Sequence, residues 1–206
     1  MSLIKRLLFP SYKSDKKPQT GQPSDRSSYY PEQKLPVDEK FTYHFRNNGG
    51  KFIYCEDWEE ALEAFDNIMV ENDWYEQDVF CLEEQLRQRF DGFNLKFVNK
   101  SDSKFFLSTC ESLVAKTGAI LLSSNQVKEK KLNELPDSMI ILAKTSQIVE
   151  NISEGLRIIK NQSSGYIPSN ITTIQDFETD KEDKEKDFMS YGSSTKNLYL
   201  LLLEDL

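Results

Sequence analysis

Beyond residue 92 the apolar side chains fall into short, largely unbroken runs at 95–98, 105–107, 119–122, 139–142 and 198–203. Runs of that length suit strands covered on both faces, as in a parallel sheet. Between them helical spacing is expected around 111–115 and again from Ser146, where Val149, Ile152, Leu156 and Ile159 repeat at three to four residues. Strands alternating with helices predict a largely parallel, helix-covered sheet. Upstream, a turn at 47–50 and a short strand at 52–54 lead to Asp57, a good N-cap with Glu60 three residues on, and Trp58, Ala61, Leu62, Phe65, Ile68 and Met69 continue at helical spacing to about 72. Val79, Leu82, Leu86 and Phe90 predict a second helix over 77–90, stopped at Asp91-Gly92, so 57–90 is expected to form a helical pair.

Composition sets this α/β pattern inside a longer chain of 206 residues. Residues 1–40 hold five of the seven prolines and few aliphatic side chains after Phe9, which predicts a flexible arm ahead of one domain over 41–206. The arm carries eight basic and five acidic side chains, leaving 18 basic against 29 acidic in the rest, so a basic arm precedes an acidic body. Overall charge −8 argues against a general nucleic-acid binder, because phosphate rewards a basic surface. Residues 176–187, with seven acids and three lysines, are expected to be a solvated acidic loop within the core region 93–206. No run approaches the roughly 20 apolar residues of a spanning helix, and the opening Leu3-Ile4-Lys5-Arg6-Leu7-Leu8-Phe9 is too short and too charged for a secretory signal. The expectation is a cytoplasmic protein in which residues 3–9 make at most a weak membrane or partner contact.

Cys55, Cys81 and Cys110 show no C-x-x-C spacing, and His44 is the single histidine, so neither a metal site nor a cofactor is expected. The thiols read as reduced and buried. Cys110 at a helix start would be the one to consider for reactivity, although Glu111 beside it works against a thiolate. The carboxylates of 57–66 fall on the outward side of the first helix, Trp58 is assigned to the core, and Trp74 is open between core and interface. Phosphate-loop, dinucleotide and nucleophile-elbow motifs are missing from the sequence.

The block Glu111-Ser112-Leu113-Val114-Ala115-Lys116-Thr117-Gly118-Ala119-Ile120-Leu121-Leu122-Ser123-Ser124, followed by Leu135-Pro136 before the next strand and by Ser146-Gln147-Ile148-Val149, resembles the LUD domain, the lactate-utilisation (LutC/YkgG-like) family. The resemblance covers about residues 50–206. It implies a Rossmann-like three-layer α/β fold similar to the NagB/RpiA/CoA-transferase superfamily, and a link to lactate oxidation beside iron–sulfur subunits that would carry the electrons. Where the family has Gly-Pro-Ser-Arg-Thr-Ala-Asp-Ile-Glu, this chain has Ile167-Pro168-Ser169-Asn170-Ile171-Thr172-Thr173-Ile174-Gln175, in which Pro168, Ser169 and Ile174 match and the arginine has become Asn170. The family's closing His-Gly-Pro is reduced to Tyr191-Gly192.

In an open α/β sheet ligands lie outside the carboxyl ends of the strands. Ser123, Ser124 and Asn125, at the end of an expected central strand, are therefore candidate ligand-binding residues for a small anion, and Pro168, Ser169, Asn170 and Thr172 are candidates for the same crevice. Thr117 and Gly118 are read as a structural turn. The function expected is an accessory or ligand-binding protein of lactate utilisation; the alternatives are a non-catalytic binding or regulatory module with a degenerate pocket, and an enzyme on a small carboxylate or phosphorylated substrate. The enzyme ranks last because no charged group stands at the matched positions to polarise a substrate.

Overall fold

The computed structural model of the chain describes residues 35–100, 102–163, 167–177 and 196–205. The expectations for residues 3–9, for most of the 1–40 arm, for 178–187 of the acidic loop and for Tyr191-Gly192 lie outside the described residues.

Six strands form one wholly parallel sheet: β1 (Lys51–Cys55), β2 (Asp78–Phe80), β3 (Lys96–Val98), β4 (Phe105–Thr109), β7 (Ser138–Lys144) and β10 (Asn197–Leu203), in the order β1-β10-β7-β4-β2-β3. The apolar runs are continuous because alternate residues serve opposite faces, and both faces are covered. Phe106, Met139, Ile141, Leu198 and Leu200 point to one side with Phe41, Phe45 and Leu113, while Phe105, Ile140, Leu142, Tyr199 and Leu201 point to the other with Phe65, Ile68 and Trp74.

Helices α2 (Trp58–Asn72) and α3 (Glu84–Arg89) cover the second face. The α2 start is as read: the Asp57 carboxylate accepts from the Glu60 N–H at 3.0 Å, and the Glu60 carboxylate accepts from the Glu56 N–H at 2.8 Å. The helix expected over 77–90 is corrected. Val79 lies in strand β2, Glu83 is the extended residue before the helix, and only 84–89 is helical. Trp74 is buried and stacked on Phe105 at 4.8 Å, whereas Trp58 is half-buried rather than core.

The first face carries helix α1 (Val37–Asn47) and a second sheet that the run pattern did not predict. In this sheet β5 (Ser112–Val114) and β6 (Ala119–Leu122) form a hairpin, β8 (Ile148–Val149) pairs parallel with β5, and β9 (Thr172–Ile174) pairs antiparallel with β6. Three expectations are corrected here: 111–115 is strand and not helix, 119–122 is a strand of this small sheet and not a central one, and the helix expected from Ser146 begins later. That helix, α5 (Ile152–Gln162), is capped by Asn151, whose side chain accepts from the Glu154 N–H at 3.1 Å. It packs on the outer side of the small sheet, with Gly155 against Ser112 and Leu121. Helix α1 starts at Val37, within residues assigned to the arm, and buries Phe41 and Phe45; Lys40 pairs with Glu150.

Candidate functional site

The carboxyl ends of the parallel strands carry carboxylates that neighbouring hydroxyls and amides hold in place. After β2, Glu83 accepts from the Ser108 hydroxyl (2.7 Å), the Thr109 N–H (2.8 Å) and the Thr109 hydroxyl (2.6 Å), tying the end of β2 to that of β4. After β10, Asp205 accepts from the Thr145 hydroxyl (2.9 Å), the Ser146 N–H (2.9 Å) and the Ser146 hydroxyl (2.7 Å), with Lys144 at 3.8 Å. Burial alone would raise the Asp205 pKa, but those hydrogen bonds and the lysine charge outweigh it and hold the carboxyl below its usual value.

After β4, Glu111 reaches the small sheet. Its N–H donates to the Leu121 carbonyl at 2.9 Å, and its carboxylate accepts from the Ser123 hydroxyl at 2.6 Å and the Asn125 carboxamide at 2.9 Å. Ser123 is buried and caps the four-residue helix α4 (Ser124–Val127), accepting from the Asn125 N–H at 3.1 Å while Gln126 accepts from the Ser123 N–H at 2.9 Å. The second turn docks on the first through Ser124: its N–H donates to the Ser169 carbonyl (2.8 Å) and its hydroxyl accepts from the Ser169 N–H (3.0 Å).

The structure therefore brings the two candidate turns into one unit. Asn170, in the left-handed region at φ 50°, spends its carboxamide on the carbonyls of Lys128 (2.7 Å) and Lys130 (2.8 Å). Pro168 is buried, and Thr172 opens β9 opposite Leu122. The hydroxyls of Ser124 and Ser169 donate to no group among the described residues, which leaves two neutral donors on the unit. Thr117 and Gly118 turn the β5–β6 hairpin, with the Gly118 N–H on the Val114 carbonyl at 2.8 Å and Asn48 donating to the Thr117 carbonyl at 2.7 Å. Glu111 is the member that sequence reasoning missed. Its signal was present as an acid four residues after the apolar run 105–107, but reading 111–115 as a helix turned attention to the neighbouring thiol.

Cys110 follows β4 and does not start a helix. Burial, reinforced by Glu111 and Glu83, pushes its pKa up. Burial likewise raises Cys55 to about 12 and Cys81 to about 11. All three thiols should resist a disulfide-exchange reagent at about pH 8 in the native protein and react fully once denatured, since the thiolate is the nucleophile. Because the folded pKa values exceed the ordinary 9.0, the stability tied to neutral thiols is fully present below pH 9 and is lost as pH rises towards 11 and 12. Rapid modification of any native thiol would contradict this. Among the described residues no group of three or more His, Cys, Asp or Glu side chains is arranged to hold a metal ion, and no helix is long and apolar enough to cross a membrane.

A parallel six-stranded sheet between helices and a small second sheet, with its polar groups gathered at the strand ends, defines a Rossmann-like α/β protein. The family model described as the LUD domain matches residues 39–202, and the chain belongs to that family. A solved structure, that of a DUF162 family protein from Deinococcus radiodurans, is similar in fold, with a TM-score of 0.55 and 12% identity over 81% of this chain and 96% of that chain. No curated protein matches the sequence. Family membership supports a role related to lactate utilisation at the level of the family.

Proposed function

We propose that the chain is an accessory or ligand-binding protein of lactate utilisation, working beside iron–sulfur subunits that carry the electrons, and that the joined turns at 123–125 and 168–172 receive a small hydroxycarboxylate. The observation that carries this reading is the Ser124–Ser169 lock, which leaves both hydroxyls free to donate on one unit, with Glu111 held by the residues on either side of Ser124. Hydroxyl donors suit a carboxylate, and the Glu111 carboxylate suits a substrate hydroxyl. A second reading, a binding or regulatory module without chemistry, is favoured by Asn170, whose side chain is consumed by the Lys128 and Lys130 carbonyls where the family carries an arginine. An enzyme on a small carboxylate or phosphorylated substrate ranks behind both, for want of a cation at this turn.

Binding through neutral donors should be modest and nearly independent of salt, unlike a charge-clamped site. In a thermal-shift titration lactate should raise the unfolding temperature, and the Ser124→Ala/Ser169→Ala double variant should abolish that rise. Stabilisation that survives in the double variant, or none in the wild type, overturns the assignment of ligand and site.

A further inference from the structure

The opposite face of the parallel sheet holds a cleft that the joined turns do not use. It is an open groove of about 420 Å³ between the start of α2 and the short helix α3, lined by Trp58, Leu62, Gln85, Gln88 and Arg89. Its volume sits at the small end of ligand sites. Both lining segments follow carboxyl ends of parallel strands, β1 and β2, where an open α/β sheet leaves its crevices.

Arg89 gives the cleft its chemistry. Its guanidinium carbon stands 4.3 Å from the centroid of the Trp58 ring, and that ring meets Phe90 edge-on at 6.4 Å. A guanidinium held over a ring by its charge keeps its N–H donors for another partner. Among the described residues the Arg89 side chain makes no hydrogen bond and no ion pair. Arg87 differs: it donates to the Cys81 carbonyl at 2.9 Å and lies 3.9 Å from Glu84. Glu84, the carboxylate on Arg87, also accepts from Gln88 at 3.4 Å, and Arg89 has no carboxylate partner among the described residues.

We propose that this cleft binds a small monocarboxylate with an apolar or aromatic body, its carboxylate on the Arg89 fork beside the Gln85 and Gln88 carboxamides and its body on Leu62 and Trp58. A planar fork matches a carboxylate in two parallel hydrogen bonds. The half-buried Trp58 and Leu62 select for an apolar body over a bare anion.

The test is a titration with benzoate, followed by tryptophan emission, which Trp58 reports at the cleft while Trp74 is shielded in the core. Benzamide serves as the neutral isostere and inorganic phosphate as the bare anion. Benzoate should saturate, and binding should weaken about tenfold or more for benzamide, for phosphate and for benzoate with Arg89→Gln, the loss expected of one charge-assisted pair. Arg89 is exposed, so the variant should unfold at the wild-type temperature. Gln88→Leu should also weaken benzoate, and Ser124→Ala/Ser169→Ala should leave it unchanged, which separates this cleft from the joined turns. Equal affinity for benzoate and benzamide, phosphate as tight as benzoate, wild-type affinity in Arg89→Gln or Gln88→Leu, loss in the serine double variant, or no saturation would each overturn the proposal.

Discussion

Gly118→Ala should cost about 3–4 kcal/mol of folding stability and lower the unfolding temperature by roughly 10 °C. Two effects add. At φ 69° the residue is left-handed, which charges any residue with a Cβ about 1–2 kcal/mol. The new methyl would also stand 2.4 Å from the Phe45 amide nitrogen, 2.5 Å from the His44 carbonyl carbon and 2.8 Å from the Phe45 Cα, all of them backbone atoms of a helix that cannot swing aside. Relief requires α1 to lift off the hairpin, and that exposes the stack of Phe41 on Phe45 at 5.4 Å and the contact of Phe45 with Phe177 at 4.9 Å. Gly92→Ala is the control, since a Cβ there meets nothing within 4 Å, and its midpoint in urea should stay near wild type. If the two variants unfold at similar urea concentrations, the close approach of hairpin and helix is wrong.

Glu83→Ala should destabilise by about 2–3 kcal/mol, because it strips the partner from three donors at once. The Thr109 N–H loses the carboxylate it donates to, and Ser108 is buried, so its hydroxyl cannot turn fully to water. The loss stays below three full charge-assisted bonds because Glu83 and Thr109 are only half-buried and water reaches part of the gap. Glu83→Gln should cost less, since its carbonyl still accepts from Ser108 and Thr109 while its amide can donate to the Thr109 hydroxyl. The combination with Thr109→Val should be less than additive, as expected for partners in one network. Urea unfolding with an unchanged slope reads all of these; an additive double variant would show that the Glu83–Thr109 contact contributes nothing of its own.

The two variants act at different seams. Gly118 lets the small sheet approach α1, and Glu83 fastens the neighbouring strands β2 and β4. The joined turns hang from a third seam, the Glu111 contact between the end of β4 and the end of β6. Geometry at the turns thus depends on Glu111, which holds Ser123 and Asn125.

Residue order alone showed three central strands of the parallel sheet, though not that the run 119–122 lies outside it. The runs of β4, β7 and β10 are apolar at nearly every position because both their faces are buried, and no exposed element needs such a pattern. The cap and stripe of α2 were equally legible, being local: Asp57, Glu60 and the apolar face meet within a few turns of one helix. What the chain order left open were the three-residue strands. Val79, Leu82, Leu86 and Phe90 keep helical spacing, yet Val79, Leu86 and Phe90 pack on the α2 side while Leu82 packs on the other, which one helical face cannot do. A strand as short as β2 or β5 is set by the neighbours on either side of it, residues distant in the chain, and its own pattern is too brief to show a period. The small sheet, the role of Glu111 and the meeting of Ser124 with Ser169 exist only once those distant pairings form, because each is a contact between segments whose local preferences are satisfied equally well apart.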